Sequence, residues 1–60
     1  MDDIRQWLEE IGLGGYADAF EENLITFDHL ALLSNEDLKE LGVIPIGHRK
    51  TFSSAVAKLN

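Results

Sequence analysis

The 60-residue chain contains no cysteine. A disulfide framework and a thiolate zinc site are therefore excluded, and a reducing, cytoplasmic setting fits. Only two histidines are present, His29 and His48. They form no His-x-x-x-His pair, so no metal site is expected. No apolar run approaches the ~18 residues of a membrane span. The start, Met1-Asp2-Asp3, is not expected to be a secretory signal, because it has neither basic residues nor an apolar run behind it. Bases are scarce: five Lys and Arg stand against eleven Asp and Glu, for a net charge of −6. Phosphate recognition needs clustered cations, so nucleic acid is not the expected partner. The five glycines do not form a phosphate loop, and Ser34 has no base implied beside it. The acids fall on what should be open helix faces. No enzymatic activity, cofactor or small-molecule substrate is expected.

What charge there is falls unevenly. Residues 1–42 hold all eleven acids and two bases, Arg5 and Lys39, a net −9. Residues 43–60 hold Arg49, Lys50 and Lys58 and no acid, a net +3. Such a split predicts an acidic face and a basic face.

The longest periodic stretch is the last, Val43–Asn60. Phe52, Ala55, Val56 and Leu59 repeat the i, i+3, i+4, i+7 spacing of one helix face. Pro45 suits the first helical position, where its fixed φ is already helical and its missing N–H is not needed. The helix should run about 15 residues, roughly 22 Å. The shorter elements are expected to pack on it. His48 points to the same side as Phe52 and is expected to be a half-buried packing residue donating to a backbone carbonyl.

Four shorter helices precede it. Ile4, Trp7, Leu8 and Ile11 form one face of a first helix over Ile4–Ile11. Asp3 can cap it, with Gln6 in the capping-box position. Gly12 supplies the left-handed stop, with Leu13 folding back onto Leu8. After a Gly14-Gly15 turn, a second helix spans roughly Tyr16–Asn23. Its inward residues are Leu13, Tyr16, Ala17, Phe20 and Leu24, and Asp18, Glu21 and Glu22 share its outer face. Like charges so close repel mildly unless a cation meets them. Thr26 can cap a third helix over Phe27–Leu32, where Asp28 faces the positive helix end. Ser34-Asn35-Glu36-Asp37 has the form of a capping box and opens a fourth helix through Leu41, stopped by Gly42. The stretches 8–13 (LEEIGL) and 38–43 (LKELGV) are one stop device used twice. No segment shows strand-like alternation, and no linker, low-complexity tract or true repeat interrupts the chain. The fold class is all-α: a compact five-helix bundle over residues 1–60, with a long C-terminal helix. A chain this short buries about 60% of its unfolded surface, for a stability of roughly 3–5 kcal/mol.

In order and spacing these elements resemble the sterile alpha motif domain, a five-helix module. Three segments carry the likeness: 7–13 (WLEEIGL) with Tyr16 and Phe20, 33–43 (LSNEDLKELGV), and 47–50 (GHRK). The likeness covers nearly the whole chain. Two departures stand out: Ile44-Pro45 replaces a polar cap and helix former, and Phe27 replaces a small residue. Both add apolar area at the surface. The resemblance implies no catalysis. It implies self-association or pairing with another sterile alpha motif domain, with RNA binding the minority mode; apart from the resemblance, a monomeric scaffold is the third reading.

Two surfaces are expected to carry that function. One is the start of the last helix: Ile44, Ile46, Gly47, Arg49 and Lys50. Gly47 costs about 1 kcal/mol of helix propensity against alanine, which predicts close backbone approach by the chain's own core or by a partner. The other is an acidic mid-domain surface: Glu21, Glu22, Phe27, Asp28 and Glu36. Trp7, Phe20 and Phe52 are expected in the core.

Overall fold

The computed structural model describes residues 3–59 and contains five α-helices: α1 (Asp3–Glu10), α2 (Ala17–Glu22), α3 (Phe27–Leu30), α4 (Asn35–Glu40) and α5 (Ile46–Leu59). A single 3-10 turn, Gly14–Tyr16, leads into α2. No strand occurs among the described residues. The expected cap at Asp3 lies outside the described side chains, and Gln6 donates to Glu10 at 3.5 Å. Pro45 sits one residue before α5: its carbonyl accepts the first helical bond, from the Arg49 N–H at 3.1 Å. The third helix ends at Leu30 rather than Leu32, so it is a single turn.

The expected stop device is present at Gly12 and Gly42. Both adopt positive φ, +81° and +96°. The Leu13 N–H reaches the Leu8 carbonyl at 2.8 Å and Val43 reaches Leu38 at 2.8 Å, the long bond of a Schellman motif. A third copy ends α2 without glycine. Leu24 takes φ +58°, and Ile25 bonds back to the Phe20 carbonyl at 2.9 Å. Leu24 was expected to face inward; instead it is 78% exposed, because the left-handed residue at this stop swings its side chain off the helix face. A left-handed L-residue costs roughly 1–2 kcal/mol. Leu24→Gly is therefore expected to stabilise the fold by about 1 kcal/mol, raising Tm by roughly 4–8 °C. A lower Tm in thermal denaturation would mean that the exposed leucine packs.

Two helix starts follow the sequence closely. At α4, Ser34 Oγ accepts from the Asp37 N–H at 3.2 Å, while the Ser34 N–H donates to Asp37 Oδ2 at 3.1 Å. At α3, Thr26 is the N-cap, and its N–H donates to His29 Nδ1 at 3.0 Å. An imidazole thus takes the reciprocal role that glutamate plays in a capping box.

Ten apolar residues form the core, among them Leu8, Ala17, Phe20, Leu30, Leu38, Val43 and Phe52. Phe52 is its hub. Its ring meets Trp7 of α1 edge-on at 5.7 Å and Phe20 of α2 at 5.9 Å. Trp7 packs against this core while partly exposed, and its other edge meets Phe27 at 6.1 Å. Along α5 only Phe52 is fully buried. Ala55 and Val56 are half-buried, and Leu59, expected inward, is 49% exposed. The helix outruns the short elements that could cover its last turn.

Candidate interaction surfaces

The first turn of α5 projects from the domain. Ile46 is 64% exposed and Ile44 58%, so neither isoleucine tucks beneath the fold. At Gly47 an added Cβ would meet nothing within 4 Å. Close approach by the chain's own core is thereby ruled out. Ile46, Arg49 and Lys50 line one depression of about 410 Å³, with Asn35 of α4 on its far side. The structure thus brings three of the five expected residues together. Ile44 and Gly47 flank them without lining that depression.

His48 departs from expectation. It is exposed, and its Nδ1 lies 2.6 Å from the Tyr16 hydroxyl, with the rings edge-on at 5.6 Å. It bonds a side chain across the domain rather than a backbone carbonyl. The contact ties the start of α5 to the turn before α2, and so fixes how that start is presented.

The acidic residues are more dispersed than expected. The cation that meets the α2 acids comes from within the chain. Arg5 on α1 donates to Glu21 through Nε at 3.0 Å and Nη2 at 2.8 Å, and to Asp18 through Nη2 at 2.6 Å. These bonds, Glu21 first and then Asp18, hold the guanidinium pKa above its ordinary value. Glu36 lies 3.8 Å from Lys39 on its own helix. Phe27 is 39% exposed and leans on Trp7. Glu22 and Asp28 are exposed.

A feature absent from the sequence reading lies between α2 and α4. Asn23, Ile25, Leu32, Leu33, Asp37 and Glu40 line a groove of about 370 Å³, with His29 and Leu41 completing it. Its floor is apolar and its α4 rim carries two carboxylates. Leu32 is 76% exposed, and the exposed Leu24 stands next to Asn23 and Ile25. None of the five expected acidic-surface residues lines it. The signal that could have found it is the apolar pair Leu32-Leu33 just past a helix too short to bury both.

The whole chain matches one family. The family described as SAM domain (Sterile alpha motif) aligns over residues 1–60. The chain belongs to the sterile alpha motif family. Domains of this family are generally protein–protein interaction modules. This sterile alpha motif domain is 42% identical over 57 residues, 95% of its length, to SH3 and multiple ankyrin repeat domains protein 2 of Homo sapiens. It is 37% identical over 60 residues, its full length, to Diacylglycerol kinase eta of Drosophila melanogaster. It spans only 3% of each of those relatives. No solved structure matches it significantly. No described helix is long and apolar enough to cross a membrane.

Proposed function

We propose that residues 1–60 act as one non-catalytic interaction domain that associates with copies of itself or with a related sterile alpha motif domain. The start of α5 on one copy docks on the acidic mid-domain side of the next. The observation that carries this reading is Ile46: a large aliphatic side chain, 64% exposed, beside Arg49 and Lys50 and above an open Gly47. An exposed apolar spot rimmed by cations at a positive helix end fits an apolar recess rimmed by acids. The groove lined by Ile25, Leu32 and Leu33, with Asp37 and Glu40 on its α4 side, is such a recess. Glu22 and Asp28 add to the same acidic field, whereas Glu21 and Glu36 already answer Arg5 and Lys39. Ile44 and Gly47 flank the basic face, and Phe27 the acidic one.

The two faces differ, so the contact is heterologous. Repeated without closure it builds a helical polymer. Sedimentation velocity over a concentration series tests it: the mass should grow with concentration and fall at high salt. Asp37 and Glu40 carry a second expectation. Glu40→Lys should weaken association and slow encounter, since rim charges act mainly on the on-rate. Exposed charge pairs are each worth only about 0–1 kcal/mol, so the loss should be roughly fivefold or less. Unchanged association in Glu40→Lys would move the acidic face back to Glu22 and Asp28.

A further inference from the structure

The bases of residues 1–42 find acids: Arg5 pairs with Asp18 and Glu21, and Lys39 with Glu36. Lys50 and Lys58 on α5 form no ion pair among the described residues. They stand beside a groove of about 550 Å³ between α1 and α5. Its apolar lining is Trp7 of α1, Ile11 just past α1, and Ala55 and Leu59 of α5. Leu59 is 49% exposed there. The two lysines are eight residues apart, about 12 Å along the helix. Among the described residues no acid lines the groove, in a chain whose net charge is −6. Its sign is opposite to that of the molecule around it.

We propose that this groove binds an acidic amphipathic helix of a partner polypeptide. A leucine-sized side chain seats on Trp7, Ile11 and Leu59. Two carboxylates about two helical turns apart meet Lys50 and Lys58, since seven or eight residues of helix span roughly 10–12 Å. A helix lying in a groove between two helices presents its anchors at this kind of spacing. An anionic bilayer fits less well: its flat surface would also meet the exposed acids Glu9 and Glu10 of α1. The groove shares Lys50 with the first-turn docking face but not Ile46 or Arg49, and Trp7, Ile11, Lys58 and Leu59 belong to it alone.

Trp7 is the chain's one tryptophan and lines the groove, so its emission reports occupancy. The test uses the Ile46→Asp chain, which keeps self-association out of the signal. The probe is an alanine-rich helical peptide carrying two glutamates two turns apart with leucines between them. The expected result is a saturable change in Trp7 emission, weakened roughly fivefold by Lys58→Glu and about tenfold or more by Leu59→Asp. Both positions are exposed and far from the core hub, so the variants should fold, which circular dichroism checks. The same peptide with lysines in place of the glutamates should not bind. The proposal is overturned if the two peptides act alike, or if Lys58→Glu binds the acidic peptide as well as its parent. It is also overturned if phosphatidylserine vesicles change the emission where the acidic peptide does not; the partner would then be a membrane. None of these outcomes depends on whether the domain polymerises.

Discussion

Phe52→Ala is expected to leave the chain largely unfolded at 25 °C. Phe52 is 2% exposed, and its ring joins α5 to Trp7 of α1 and Phe20 of α2. Removing a buried phenylalanine costs about 3–5 kcal/mol, and the two aromatic contacts add roughly 0.5–1.5 kcal/mol each beyond buried area. A 60-residue chain with one core has only about 3–5 kcal/mol to lose. Helix signal by circular dichroism and Trp7 emission should therefore both collapse without denaturant. Phe27→Ala provides the comparison. Phe27 is 39% exposed and touches Trp7 on its outer edge, so its loss should cost nearer 1 kcal/mol and leave a cooperative urea transition. A Phe52→Ala chain that keeps its transition within about 1 kcal/mol of wild type would show that α5 is not what the other helices pack on.

The features that could be read from sequence are those whose cause lies within a few residues. Apolar spacing placed α1 and α5. Gly12 and Gly42 announced their stops because glycine adopts positive φ at little cost. Ser34 announced its cap because the partner, Asp37, is three residues away. The features that escaped depend on distance along the chain or on an unusual residue in a familiar role. Leu24 makes the same stop as Gly12 but carries a side chain that normally forbids it. His29 returns the bond at the Thr26 cap where glutamate is the usual choice. Arg5 answers Asp18 and Glu21 from 13 and 16 residues away, so the acids of α2 looked unanswered. His48 reaches Tyr16 across 32 residues, and periodicity alone turned it inward. The same limit applies to the interaction surfaces. The residues proposed for the basic face, Ile46, Arg49 and Lys50, lie within about one helical turn and so could be grouped as a run. The acidic groove is assembled from the stretch just after α2, from α3 and the turn behind it, and from α4, and no local pattern joins Leu32 to Glu40.

Strain at Leu24 bears on function if the start of α5 docks in the neighbouring groove. Residues held in costly backbone conformations tend to cluster at sites where the conformation is used. Leu24 keeps 78% of its side chain in solvent while standing beside the acidic groove, a position where glycine would fold more readily. If the groove receives Ile46 of another copy, the leucine adds apolar contact there. Leu24→Gly should then raise stability and weaken association in the same chain. A purely structural role would move the two together.

Ile46→Asp is expected to abolish self-association while leaving the fold intact. Ile46 is the first residue of α5 and 64% exposed, so the free domain loses little packing. Surface changes of this kind stay within about 0.5 kcal/mol, and an aspartate in the first turn is favoured by the helix dipole. In the docked state the same carboxylate would be buried against Leu32 and Leu33, beside Asp37 and Glu40. Burying an unpaired polar group costs roughly 2–7 kcal/mol, and a charge costs more. At about 1.4 kcal/mol per tenfold, even the low end weakens association roughly thirtyfold. Leu32→Asp should do the same from the other side, since Leu32 is 76% exposed and its replacement spoils only the receiving face. Each variant keeps one intact face. Mixed together they should form a one-to-one heterodimer by sedimentation velocity, and growth should stop there, because neither remaining face is competent. High salt should weaken this heterodimer too, as the Debye length shrinks to ~3 Å at 1 M. Wild type that stays monomeric at millimolar concentration and low salt would sink self-association and point to a separate partner. Ile46→Asp that assembles as well as wild type would sink the α5 face. Two variants that fail to pair while wild type polymerises would show that the two faces do not meet each other.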